Sequence, residues 1–318
     1  MKTVLRILKE QTIVCLLLIF VLILAVVRPS FISANNIKNV LIDVSIYGVA
    51  AIAMTISIIT GAFDLSLSSN FAWAQIFFCT LLNAWTFRGS VFPAAVCTIL
   101  SCMLIGCING LVVVKGKIPA FIATMGMNYA VKGWCLVFTD GNMVSTSNAA
   151  VTAFGKGTFL GLSYLTYVFI AVAVIASVVM RYTQFGRNLY ATGGNSICAQ
   201  LCGIHVRFCK FIVFIILGFS AGLAGCMFVC LMRAGSVLYG TDLALTCVAA
   251  TVVGGTPLSG GKGGVPRTVI GILLLYVIYK GLGFLGLAGY VNTMVKGILL
   301  LLVVSFDAFI TQSGTKTA

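Results

Sequence analysis

The sequence predicts an all-α polytopic membrane protein, a single transmembrane domain over residues 1–318 with about ten transmembrane helices of roughly 20 apolar residues each. Three observations carry that prediction. The 318 residues are 60% apolar and only 8% charged, with a mean hydropathy of +1.14, whereas a soluble domain carries about 25% charged residues. The apolar stretches are too long and too numerous for core helices of a soluble protein. They also lack the strict alternation of a transmembrane barrel, so helices satisfy the backbone inside the membrane.

The first expected span, 12–28, follows Lys2, Arg6 and Lys9 and ends in Val26-Val27-Arg28-Pro29. No small-x-small cleavage site follows, so it reads as an uncleaved span. The next spans are 42–60, 65–87, 91–114 and 119–138, then 163–180, 208–232, 242–256, 268–284 and 288–308. An even count puts both termini on one side. With the N-terminus in the cytoplasm, twelve cations fall inside: Lys2, Arg6, Lys9, Lys115, Lys117, Arg181, Arg187, Arg207, Lys210, Lys262, Arg267 and Lys316. Five fall outside, at Arg28, Lys38, Arg88, Lys156 and Arg233. The positive-inside rule therefore places both termini in the cytoplasm. Lys132, Lys280 and Lys296 remain within or near spans.

Several spans are broken. The second runs into Thr60-Gly-Ala-Phe-Asp-Leu-Ser-Leu-Ser-Ser69, and the fifth starts at Lys117-Ile-Pro-Ala-Phe-Ile-Ala-Thr124. The eighth runs into Val252-Val-Gly-Gly-Thr-Pro-Leu-Ser-Gly-Gly-Lys-Gly-Gly264. Such breaks survive at membrane depth where they face protein or a water-filled cavity, and in transporters they line the substrate path. Gly106-x-x-x-Gly110 and Gly218-x-x-x-Gly222 predict close helix packing.

The net charge of +14 is spread thinly between apolar spans, which fits topology and not nucleic-acid binding. Most of the 12 Cys lie in apolar runs, where a thiol acts as a small hydrophobe. Cys198, Cys202 and His205 have ligand-like spacing but no fourth ligand, so no metal is expected. Thr256-Pro-Leu-Ser-Gly-Gly-Lys262-Gly263 fails as a phosphate loop, because a Walker A needs Gly at the place of Thr256 and Ser or Thr at the place of Gly263. With one His and no nucleophile triad or paired carboxylates, no enzymatic chemistry is expected on this chain.

Candidate residues for a translocation path are Asp64, Ser66, Asn109, Thr124 and Asn128, with Phe121, Tyr129, Trp134 and Trp73 nearby. Neutral amides, hydroxyls and aromatics suit an uncharged polar solute such as a sugar; the alternative for any one of them is that it pairs helices within the bundle. Asp64 has a second reading, as a cap on the helix that follows it. With only six acids in the chain, a proton relay is disfavoured.

Asn36-Ile-Lys-Asn-Val40, Ile59-Thr-Gly-Ala-Phe-Asp-Leu-Ser66, Asn109-Gly-Leu-Val112 and Ile118-Pro-Ala-Phe-Ile-Ala-Thr124 run in order along the chain. They are followed by Phe185-Gly-Arg187, Tyr190-Ala-Thr-Gly-Gly-Asn195, Gly203-Ile-His-Val206, Val253-Gly-Gly-Thr256 and Gly260-Gly-Lys-Gly263. Jointly the chain resembles the membrane-spanning permeases of bacterial ABC importers for monosaccharides, the ribose/galactose/autoinducer-2 permease family. The resemblance implies a permease subunit in the bacterial cytoplasmic membrane that moves a small polar solute by alternating access. It implies as partners an ABC ATPase, a second permease copy and an extracytoplasmic solute-binding protein. No cofactor is expected on this chain, ATP being used by the partner subunit. It also implies that the cytoplasmic loop at about 181–207 is a coupling element, with Gly186, Arg187, Gly193, Gly194, Asn195, Ala199 and Gly203 meeting the ATPase. The chain departs from the family at Ile197, Gln200, Ala244 and Thr246, where charged residues are usual. The alternative is a stand-alone secondary transporter or channel, for which the sequence offers no coupling-ion site.

Overall fold

The computed structural model describes residues 12–84 and 90–286, and individually 290, 291, 293–295, 297, 298, 301 and 305. The tenth expected span and the charges Lys2, Arg6, Lys9, Arg88, Lys296 and Lys316 fall wholly or largely outside those residues.

Helix α1 (Thr12–Val27) stops ahead of Pro29, which opens a short 3-10 turn, Pro29–Ile32. Ser33 then caps α2 (Ala34–Ile59) by accepting from Asn36 N, and Asn36 Nδ2 donates to Phe31 O at 2.7 Å. Helix α2 is the buried axis of the bundle, with Val49, Ala50, Met54 and Ile58 almost fully enclosed. Next come α3 (Leu67–Asn83), α4 (Val91–Val114) and α5 (Ala120–Thr139), packed on one another, and α7 (Tyr164–Tyr182), which packs on α2. Between α5 and α7 the chain makes strand β1 (Val144–Ser145), helix α6 (Ala149–Lys156) and the hairpin β2 (Thr158–Phe159) to β3 (Leu162–Ser163). Helices α8 (Gln184–Gly194) and α9 (Ser196–Leu201) lead to α10 (Val206–Met232), strand β4 (Ala234–Gly235), α11 (Leu243–Val253) and α12 (Val265–Phe284). Five of these helices are long and apolar enough to cross a membrane: α2, α4, α7, α10 and α12. Helix α11 has 11 residues, about 16 Å at 1.5 Å per residue, well short of a hydrocarbon core of about 30 Å. It is a half-helix, as the broken eighth span implies.

The glycine faces do what their spacing suggests. A Cβ on Gly106 of α4 would collide with the Phe214 carbonyl of α10, and one on Gly218 with the Cys102 carbonyl. Backbones therefore touch along the α4–α10 seam, the close approach that small residues permit in membrane bundles. Hydroxyls do similar work between α2, α11 and α12: Thr55 Oγ1 lies 3.0 Å from Thr251 Oγ1 and 2.7 Å from Thr268 Oγ1, all buried. Lys280 of α12, within an expected span, pairs with Asp43 of α2 at 2.6 Å.

Loops that alternation assigns to one side also meet in space. At one end β1 pairs antiparallel with β4, Val144 opposite Gly235, and Asn83 Nδ2 donates to Ser145 O at 2.8 Å. At the other end residues 59–61, 190–194 and 260–263 converge. The two ends are those that the charge rule predicts to be external and cytoplasmic, respectively.

Candidate functional site

The loop at 181–207 is not an irregular hydrated stretch. It folds as two short capped helices. Thr183 accepts from Gly186 N at 3.2 Å and starts α8. Asn195 accepts from Ile197 N and Cys198 N, each at 3.0 Å, and starts α9. Both residues satisfy amides that a helix start leaves free. Gly203, with φ of +81°, turns the chain toward α10.

The seven loop residues expected to meet a partner divide into two faces. Gly186 and Ala199 are buried, and a Cβ on Gly186 would strike the Met180 carbonyl. Gly193 faces the bundle. Arg187, Gly194, Asn195 and Gly203 are exposed. Sequence reasoning missed the outer face of α9, where Ile197 and Leu201 are 72% and 83% exposed. Their i, i+4 spacing on a polar loop was the available signal. Cys198 is exposed on the same helix, Cys202 is exposed at its C-cap and His205 lies just past it.

The inner face of α8 meets the rest of the protein through backbone. A Cβ on Gly193 would overlap the Ile59 carbonyl at the end of α2. Gly261 N donates to that same carbonyl at 2.8 Å. A Cβ on Gly261 would lie 2.7 Å from Gly194 Cα, and one on Gly260 3.0 Å from the Ile58 and Ile59 oxygens. Both Gly260 and Gly261 have positive φ, +81° and +73°, which glycine adopts without strain. Tyr190 Oη donates to Gly263 O at 2.9 Å. Partial burial pushes the Tyr190 phenol above its ordinary value, which further disfavours the phenolate. The loop that fails as a Walker A thus has a packing reason for its glycines.

Directly beyond Ile59, residues 60–66 carry the second half of the site. Asp64 Oδ1 accepts from Ser66 N at 2.8 Å and from Ser66 Oγ at 2.6 Å. Ser66 Oγ in turn accepts from Asn109 Nδ2 of α4 at 2.7 Å. Leu65 N donates to Thr124 Oγ1 of α5 at 3.1 Å, and Ser69 N to Asn128 Oδ1 at 3.2 Å. All five residues singled out for the path, Asp64, Ser66, Asn109, Thr124 and Asn128, therefore meet in one network. Asp64 is 2% exposed and Asn109 1%. Asp64 holds the turn that leads into α3 from two residues ahead of that helix's N-cap, Ser66. A small cleft adjoins the network, bounded by Ser68, Ser69, Asn128, Lys132, Val237 and Thr241. Its walls offer hydroxyls, an amide and an ammonium, groups that hydrogen-bond a polar solute. Lys132, Ser68 and Thr241 were not singled out beforehand; a lysine inside a span was the signal for the first.

The chain matches the family model for the branched-chain amino acid transport system / permease component over residues 36–304. It is 34% identical over 304 residues to the ribose import permease protein RbsC of Escherichia coli strain K12, covering 94% of each chain. Against the ribose import permease protein RbsC of Bacillus subtilis strain 168 it is 36% identical over 295 residues, 92% of this chain and 90% of that one. Against the L-arabinose ABC transporter permease protein AraH of Azospirillum brasilense it is 29% identical over 304 residues, 96% of this chain and 89% of that one. No solved structure matches the chain.

Proposed function

The chain belongs to the branched-chain amino acid transport system permease component family, and on that footing we propose that it is the permease subunit of an ATP-driven importer for a monosaccharide or a related small polar solute. It is a multi-pass protein of the bacterial cytoplasmic membrane. The observation that carries the reading is the likeness to ribose import permeases along nearly the whole of both chains.

In this proposal ATP is bound and hydrolysed by an ABC ATPase partner, and the chain itself carries no cofactor. A second permease copy completes the path, and an extracytoplasmic binding protein delivers the solute. The ATPase grips the outer face of α8 and α9 through Arg187, Gly194 and the apolar pair Ile197 and Leu201. Its closure displaces α8, which bears on Ile59 and Gly261 through Gly193 and Gly194. Residues 60–66 move with Ile59 and carry the Asp64–Ser66 end of the network against α4 and α5. The cleft beside Asn128 and Lys132 then opens or closes. A partner can shift such an equilibrium only by touching the two states differently, which is why the grip must lie on the moving element.

Uptake of labelled ribose into membrane vesicles tests the reading, with co-purification of an ATPase as its companion. Uptake that depends on ATP and resists an ionophore is expected. Arg187→Glu and Gly194→Trp are expected to abolish it while membrane insertion stays normal. Uptake that survives ATP depletion and collapses with an ionophore would show a secondary transporter instead.

A further inference from the structure

A second cavity lies where α4 ends and α10 starts, at the expected cytoplasmic end of their seam, and shares no lining residue with α8, α9 or the network around Asp64. It measures about 540 Å³ and is lined by Lys115, Lys117, Arg207, Phe208, Phe211 and Leu111, among others. Its construction follows from the seam. Gly110 lacks the Cβ that would stand 2.8 Å from Phe211 Cδ2, so the Phe211 ring lies against α4 and forms an apolar wall. Lys115 is the residue that ends α4, and Lys117 is held at φ of +54° two residues later. Arg207 stands in the first turn of α10, whose start has no side-chain cap. That first turn leaves free N–H groups and a partial positive charge beside the three cations.

Among the described residues no acidic side chain lines this cavity and no ion pair involves Lys115, Lys117 or Arg207. Of the six acids in the chain, Asp43 is taken by Lys280, Asp64 by Ser66 and Asp140 ends α5 at the opposite end of the bundle. The three cations are exposed, and so is Phe208, at 60%. Cations over an apolar floor, at the ends of two helices long and apolar enough to cross a membrane, match the two halves of one molecule. A phosphodiester meets the Lys and Arg heads, and acyl chains lie along Leu111, Phe208 and Phe211. Basic pockets between helices on the cytoplasmic face take anionic headgroups for this reason.

We propose that this cavity is a binding site for an anionic phospholipid of the cytoplasmic leaflet, with its phosphate between Lys115, Lys117 and Arg207. The occupant bridges the ends of α4 and α10 and tightens the seam that Gly106 and Gly218 close higher up.

The purified full-length chain in detergent is titrated with dioleoyl phosphatidylglycerol, dioleoyl phosphatidylcholine or inorganic phosphate. Lipid retention is read by native mass spectrometry and stability by the thermal midpoint. Phosphatidylglycerol is expected to be retained and to raise the midpoint, with little effect from phosphatidylcholine or phosphate. Each of Lys115→Gln, Lys117→Gln and Arg207→Gln is expected to weaken phosphatidylglycerol binding about fivefold, the equivalent of about 1 kcal/mol per cation. Lys156→Gln, at the other end of the bundle, is expected to leave it unchanged. Equal retention of the two lipids by the wild-type chain overturns the proposal, and that comparison needs no variant. So does a midpoint shift reproduced by inorganic phosphate alone, which marks a free-anion site, or unaltered lipid binding in all three Gln variants.

Discussion

Two regions hold the same short segment, residues 59–66, and they hold it by opposite means. On the side of α8 the contact is backbone against backbone: Gly193 on the Ile59 carbonyl, Gly261 N bonded to it, and Gly260 beside Gly61. On the membrane side the contact is side chain against side chain, running Asn109 to Ser66 to Asp64, with Thr124 and Asn128 on the flanking amides. A backbone contact has no rotamers to yield, so it transmits displacement stiffly. A hydroxyl and amide network can exchange partners, so the same displacement can end in a rearrangement there. The stiff part faces the proposed source of motion and the adaptable part faces the cleft.

The largest expected effect comes from breaking the stiff contact. Gly193→Val places a side chain where the Ile59 carbonyl stands, and the backbone must move. Overpacking of this kind costs about 1–3 kcal/mol even where flexible side chains can give way. Uptake in vesicles is expected to fall at least to background while the protein still inserts. Gly126→Ala is the control, because a Cβ there meets nothing within 4 Å. It is expected to be neutral or to raise the thermal midpoint, by up to about 1 kcal/mol of helix propensity. Equal loss from both variants would remove the special standing of Gly193.

The network is expected to fail by degrees. Asp64→Ala leaves Ser66 N and Ser66 Oγ without their acceptor in a buried place, at a cost of about 1–3 kcal/mol. Asp64→Asn keeps one carbonyl acceptor and is expected to retain most of that stability. Unfolding of the detergent-solubilised variants measures both. If Asp64→Asn keeps its stability but loses uptake, the charge itself serves transport; if stability and uptake fall together, the residue is a cap. Asn109→Ala removes one donor to a hydroxyl that keeps its bond to Asp64, so a smaller loss of about 1 kcal/mol is expected.

The two regions also differ in how far the amino-acid sequence announces them. Long apolar runs bounded by Pro, Gly or Lys set some helix limits well: the span expected at 91–114 is α4 to the residue, and 119–138 is α5 shifted by one, whereas the span expected at 42–60 is α2 from Ala34, its first turns hidden by the polar Asn35, Asn36, Lys38 and Asn39. The elements α6 and the β2–β3 hairpin were not expected, since they are too short and mixed in polarity to show a period. In the network, residue types pointed to Asp64, Ser66, Asn109, Thr124 and Asn128, but their meeting depends on contacts 43 to 59 residues apart. The glycine junction was less visible still. Gly193, Ile59 and Gly261 lie in three separate stretches, and a backbone contact leaves no chemical signature in a sequence beyond the glycines themselves. Gly193 reads from the sequence as a contact to the partner, and Gly261 as part of a broken span.

The smallest expected effect tests whether the stiff contact has any side-chain share. Tyr190→Phe removes the single hydrogen bond to Gly263 O and keeps the ring that packs beneath it, a change worth about 0.5–1.5 kcal/mol. Uptake is expected to drop severalfold at most, far less than for Gly193→Val. Burial raises the Tyr190 phenol, so the folded protein disfavours the phenolate. Below the ordinary tyrosine value of about 10 both states keep the proton, and the stability difference between wild type and Phe variant is expected to be flat. Above it the unfolded chain ionises first, so the wild type loses ground as pH rises and the difference shrinks. A Phe variant as inactive as Gly193→Val would move the weight of the junction from backbone contact to that one hydroxyl. A difference that grows with alkaline pH would mean the phenolate is the favoured form, contrary to a donor facing a carbonyl.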